Sequence, residues 1–264
     1  MWFIHPASRA LLPWALARGI SANAVSVGGL IVGAAAAACY FEWRAWLFAF
    51  VGLLLSAAWL IADGLDGMVA RATGTASALG RVLDGVCDHG VFILLYVALV
   101  LSLGGGIGPW ALALSAGAFH AVQSSLYEGE RARFHRRIHG QQPVPPAWSK
   151  SRTVRGYDWL ATSLDRVSAR FDALLDGGAL APRVSDEYGA RASGPMRLLA
   201  LLSANTRAWA IFIACIAGDP RLFWWFEIVA LSLVALAGMT WHRRVEAALV
   251  RQFSSSSVVV AAGG

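Results

Sequence analysis

The chain has 264 residues, 57% of them hydrophobic and 14% charged, with a formal net charge of +6. So little charge excludes an ordinary soluble globular domain. The arginine excess comes with no nucleic-acid reading module, so it speaks for membrane topology and for attraction to anionic lipid or a phosphorylated substrate, not for nucleic acid.

In chain order, residues 6–18 read as a short helix lying in the membrane interface. Leu11, Leu12, Trp14 and Leu16 are its apolar part, and Pro13 works against it. Six apolar segments follow, at 24–41, 45–61, 83–103, 109–122, 198–217 and 222–239. A bilayer-crossing helix needs ~20 mostly apolar residues. The expected fold is therefore all-α, an integral membrane domain with six transmembrane helices. The third segment opens on polar residues and the fourth is short.

Little charge lies in the connections 42–44, 104–108 and 218–221. The other side carries Arg9, Arg18, the arginines between 131 and 197, and Arg243, Arg244 and Arg251. The positive-inside rule then places both termini and the long polar segment 128–195 in the cytoplasm. The expected location is the inner membrane of a bacterium. One domain is expected over 1–253, containing the polar segment. The first part of that segment, EGERARFHRR, continues the fourth span, and Pro143, Pro145 and Pro146 end the helix. Residues 157–176 return to helical periodicity, as a surface helix or a cover over an active site. Residues 254–264 are of low complexity and read as a disordered tail. Cys39, Cys87 and Cys215 have no zinc spacing and read as packing residues.

Between the second and third spans the chain reads DGLDGMVARATGTASALGRVLDGVCD, residues 63–88, with aspartates at 63, 66, 84 and 88. On a helix advancing 100° per residue, Asp63, Asp66, Gly67 and Ala70 fall within about a 100° arc. Gly80, Asp84 and Asp88 form a second stripe at i, i+4 and i+8. The eight residues between Arg71 and Gly80 suffice for a turn, so two neighbouring helices can face their stripes together. Four converging carboxylates repel one another unless divalent cations join them. Oxygen donors suit hard ions such as Mg²⁺, Mn²⁺ or Ca²⁺, and two ions ~4 Å apart could bridge a pyrophosphate. Gly67, Ala70 and Gly80 leave bare helix faces for a nucleotide, and Arg71 could hold a phosphate.

The pattern D-x2-D-G-x2-A-R-x8-G-x3-D-x3-D resembles the signature of the CDP-alcohol phosphotransferases at Asp63, Asp66, Gly67, Ala70, Arg71, Gly80, Asp84 and Asp88, with every spacing kept. Upstream, SANAVS (21–26) resembles the family's T-P-N-x-[IV]-[ST], with Ala22 in place of proline and Asn23 kept. The resemblance implies a reaction in which an alcohol hydroxyl attacks the β-phosphorus of a CDP-linked alcohol and CMP leaves. It also implies Mg²⁺ or Mn²⁺, as two ions. Asp63, Asp66 and Asp84 would be metal ligands, and Asp88, beside the metals, would be both ligand and general base. Asp63, Gly67, Ala70, Arg71 and Gly80 would line the CDP site. Family members are commonly homodimers.

The acceptor must be read from elsewhere. His120, Gln123, Ser124, Tyr127 and Arg131 form one stripe of about 100° at the end of the fourth span. In the fifth, Ser203, Thr206 and Arg207 share a face, and an arginine inside an apolar run suggests function. With Asn23, the acceptor or lipid candidates are His120, Gln123, Tyr127, Arg131 and Arg207. They favour phosphatidyl transfer from CDP-diacylglycerol to a polar alcohol of the glycerol 3-phosphate, inositol, inositol phosphate or serine type. The alternatives are a CDP-choline or CDP-ethanolamine enzyme with a lipid acceptor, and a divalent-cation transporter.

Overall fold

The computed structural model describes residues 4–76, 78–140, 171–175 and 181–262; the side chains at 78, 79, 81–84 and 254–262 lie outside the description. Among the described residues the secondary structure is helical throughout. Helix α1 is Ile4–Ala17, α2 Ala22–Phe41, α3 Trp46–Ala72, α4 Ala78–Ser102 and α5 Ile107–Ile138. Then come α6 (Ala181–Leu199), a 3-10 turn (Ala200–Leu202), α7 (Ala204–Ile216), α8 (Arg221–Trp225), a π-helical segment (Phe226–Leu231) and α9 (Ser232–Ala262).

Among the described residues, four helical stretches are long and apolar enough to cross a membrane: Ala22–Phe41, Trp46–Ala72, Gly85–Ser102 and Arg221–Phe253. A bent pair, Ala181–Leu202 with Ala204–Ile216, makes up to five. The expectation of six spans is thus met only in part. Helix α5 is not among the four, because it is apolar only over its first half. The fifth expected span is broken: Ser203 takes an extended conformation (φ −76, ψ 161), and the axis bends by 47° there. The segment read as interfacial is helical, and Pro13 lies within it on its exposed side. Residues 254–262, read from sequence as a tail, continue α9 as helix. The expected helix at 157–176 lies outside the described residues except at 171–175, which are helical.

The chain divides into two compact units. The first comprises Met1–Val122 and Ser203–Ser232. Its centre is α2, which packs on both α3 and α4. The sequence explains why. Ser21 caps α2 by accepting the Ala24 N–H at 3.2 Å, and this sets the register of a buried stripe: Ser26, Gly29, Gly33, Ala36, Ala37 and Tyr40. Small residues let backbones approach closely, as membrane helices do. A Cβ on Gly29 would lie 3.4 Å from Ala62 of α3, and one on Gly33 would overlap the methyl groups of Val91 on α4. Beyond Gly33 the core widens into Tyr40, Trp59, Phe92, Leu95, Leu99, Ile211 and Trp224. The opposite faces expose Ile31, Trp46, Leu54, Ile93 and Ile213. That arrangement suits an apolar solvent and would be unusually extensive in water.

The second unit comprises Gln123–Leu202 and Leu233–Gly264. An apolar cluster of Phe171, Val184, Tyr188, Ala192, Leu249 and Phe253 is joined here by a buried charge network. His242 donates from Nδ1 to Glu130 Oε2 (2.8 Å), and its Nε2 is hydrogen-bonded with the Tyr188 hydroxyl (2.9 Å). Arg137 donates to the Tyr188 oxygen, to Asp172 at 2.7 Å and to Glu246. Arg243 bridges Glu130 and Glu246, each at 2.8 Å. Burial alone would raise the Glu130 carboxyl. The His242 hydrogen bond and the charges of Arg243 and Arg133 outweigh it and hold the group down to about 2. The stability this confers is complete above the ordinary carboxylate value of 4.5 and is lost as pH falls from there through about 2. A shift of that size is worth on the order of 3 kcal/mol. Unfolding in detergent between pH 6 and pH 2 should therefore show an acid limb that is shallower in Glu130→Gln.

Candidate active site

The acid-bearing turn of α3 has two sides. Leu65 and Val69 are buried against Ala15 of α1, with Leu12, Ile20, Ala22 and Val25 around them. Asp63, Asp66, Gly67, Ala70 and Arg71 occupy the other side, as the 100° step requires. Helix α1 is held to this turn by Ser8, whose hydroxyl lies 2.8 Å from the Ile61 carbonyl. A Cβ on Gly64 would come within 2.8 Å of the same hydroxyl, so glycine there permits the contact.

Asp66 is 4% exposed and Asp63 half-buried. Ser26 of α2 donates from Oγ to Asp66 Oδ2 at 2.6 Å. The Arg71 guanidinium lies over Gly67, its Nη1 3.3 Å from where a Cβ would be. Bare glycine therefore gives this cation a place on the helix face. Helix α3 then stops sharply. The Thr75 N–H reaches the Ala70 carbonyl at 3.0 Å, the Gly74 N–H reaches that of Arg71, and Gly74 has φ +67. This is a Schellman ending, in which only glycine is free of strain. It turns the chain towards α4 directly after Arg71.

On α4, Gly80 and Asp88 are half-buried, and Val91 and Phe92, the next turn after Asp88, are buried. Because α2 packs on both α3 and α4, one helix holds the two acid-bearing segments. Among the described residues no group of three or more His, Cys, Asp or Glu side chains could hold a metal ion. The Asp84 side chain lies outside them.

The Asp63 and Asp88 turns share an aromatic layer. Trp59, one turn before Asp63, meets Phe92 edge-on with centroids 5.3 Å apart, and Phe92 meets the His120 ring at 4.2 Å. Beyond this layer His120 donates from Nδ1 to Glu227 Oε1 at 3.1 Å, and Arg207 donates from Nε to the same oxygen at 2.7 Å. Arg207 and Glu227 are 0% exposed. The structure thus brings two acceptor candidates, His120 and Arg207, together on one carboxylate that the sequence reading did not name. The signal was present: Glu227 is the one acid in the apolar run 222–239. It also lies in the π-helical segment, a distortion that frequently marks functional sites.

Of the other candidates, Asn23 is exposed in the first turn of α2. Gln123 and Tyr127 are buried on α5, and Arg131, half-buried, pairs with Glu128 at 3.4 Å.

A sequence profile described as CDP-alcohol phosphatidyltransferase matches residues 20–162, more than half of the chain. The match includes the Ser21–Ser26 stretch and all eight positions of the aspartate motif. No curated protein and no solved structure matches the chain.

Proposed function

The chain belongs to the CDP-alcohol phosphatidyltransferase family, and from that premise we propose that it transfers a phosphatidyl group from CDP-diacylglycerol to the hydroxyl of a polar alcohol, releasing CMP. The family transfers substituted phosphate groups from CDP-alcohols and is generally dependent on a divalent metal. The observation that carries the reading is the eight-residue motif, complete in spacing and split between α3 and α4, two helices held by α2.

The donor set fits a divalent cation. Carboxylate oxygens are what hard cations take. Asp66, buried within a helix apolar enough to cross a membrane, calls for nearby positive charge. Asp63, Asp66 and Asp84 would hold the metal, with Asp88 beside them. When bound, it would neutralise charge on the phosphates. Gly67, Ala70 and Gly80 leave room for the cytidine nucleotide, and Arg71 contributes donors to a phosphate oxygen. Asp88 takes the proton of the acceptor hydroxyl as that oxygen bonds to the β-phosphorus. The bond from that phosphorus to the CMP oxygen breaks, and CMP leaves. The active site and both termini are cytoplasmic in this reading. Asn23, His120, Gln123, Tyr127, Arg131 and Arg207 are the acceptor or lipid candidates in this reading, and His120 and Arg207 would act with the Glu227 carboxylate to which both donate.

The test is CMP release by purified protein offered CDP-diacylglycerol, Mg²⁺ or Mn²⁺, and a pool of polar alcohols. Release that needs both metal and pool supports the proposal, and dividing the pool finds the acceptor. Release only from CDP-choline or CDP-ethanolamine with diacylglycerol would assign the reversed branch. Silence in both, with manganese uptake into proteoliposomes, would replace an enzyme by a transporter.

A further inference from the structure

We infer that Ser26 is a positioning residue for the metal-binding carboxylate of Asp66, an inference that rests on the function proposed above. The hydroxyl has a competing acceptor in its own helix, the Ala22 carbonyl at 3.2 Å. Ser and Thr in helices routinely bond back in that way. Ser26 Oγ nevertheless lies 2.6 Å from Asp66 Oδ2, across the interface between α2 and α3. The single hydroxyl proton serves the closer, charged acceptor, since hydrogen bonds to carboxylates are the shorter and stronger ones.

Both partners are buried, Ser26 at 8% and Asp66 at 4% exposure. In such surroundings the bond is weakly screened. It also has a definite mechanical effect. The terminal torsion of an aspartate is broad and roughly two-fold, so its rotamer alone does not fix the carboxylate plane. A donor on one oxygen does. That donor is itself fixed, because the Ser21 cap and the approach of Gly29 to Ala62 set the register and depth of α2 against α3. A metal site generally needs such outer partners, and removing one typically costs ~10–100-fold in metal affinity or activity.

A serine in a stripe of small residues could instead serve only to let the helices approach. The two roles separate in a manganese titration of the full-length protein in detergent. Thermal unfolding is followed against MnCl2 alone, and CMP release against MnCl2 at saturating CDP-diacylglycerol. In Ser26→Ala the manganese midpoint is expected to rise ~10-fold in both readouts. Its Tm without metal should stay near that of the wild type. Ser26→Thr, which keeps the hydroxyl, should stay within about twofold of the wild-type midpoint. Ser26→Cys, nearly isosteric with a weak donor, should move with the alanine variant, and it carries the test if Ser26→Ala does not fold. A lower Tm with an unmoved midpoint in the alanine or cysteine variant would overturn the inference alone. A wild-type protein in which manganese changes neither unfolding nor CMP release would overturn the proposed function, and the inference with it.

Discussion

Asp88→Asn should lower CMP release by ~10²–10⁴-fold, the range that a positioned general base contributes, with no recovery at any metal concentration. The amide has the shape of the carboxylate and can still accept a hydrogen bond, so packing around the half-buried side chain survives. What it cannot do near neutral pH is take a proton from the acceptor hydroxyl. The same change at Asp63 or Asp66 should behave differently. There the loss is of a ligand, and raising Mn²⁺ should restore part of the rate. The comparison therefore separates the two roles that Asp88 is proposed to combine. Full recovery of Asp88→Asn by added metal would reduce it to a ligand, and wild-type release in the variant would remove it from the chemistry altogether.

The aspartate motif could be read from sequence because its parts are local. Asp63 and Asp66 are three residues apart, Asp84 and Asp88 four, and helix geometry alone puts each pair on one face. The Ser21 cap is equally local, being decided within one turn, although the sequence reading started the span only at residue 24. The bond from Ser26 to Asp66 was harder to see, since it spans 40 residues and depends on how α2 sits against α3. Glu227 lies 107 residues from His120, and Glu246 lies 109 from Arg137. At such separations composition shows that charges are present and not which of them meet. The break at Ser203 was hidden in another way. Its residues have no strong helix-breaking signature, and apolar sequence runs through it on both sides. Helix α5 misled in the opposite direction, because one continuous helix carries an apolar first half and a charged second half.

The buried pair Arg207–Glu227 offers the largest expected effect on stability. Glu227→Gln should destabilise the protein by ~3–5 kcal/mol, because it leaves a fully buried guanidinium without the carboxylate at 2.7 Å. Arg207→Met should also destabilise, by leaving the buried acid with His120 but without its cationic partner. The double variant Arg207→Met/Glu227→Met removes both charges and keeps similar volumes. Buried ion pairs replaced in this way are often neutral or better, so the double variant should be far more stable than either single one. His120 then loses its carboxylate acceptor, but the Tyr96 hydroxyl lies 3.5 Å from the same nitrogen. Denaturant unfolding in micelles measures the cycle, and additivity of the two single losses would mean that the charges do not stabilise one another. Activity in the double variant answers a separate question. The pair reaches the acid-bearing helices through His120, Phe92 and Trp59. If folding is restored and CMP release is not, the charges serve to hold His120 against the aromatic layer beside Asp63 and Asp88. If both return, the pair only stabilises the packing of α5, α7 and the π-helical segment, and apolar side chains do that work as well.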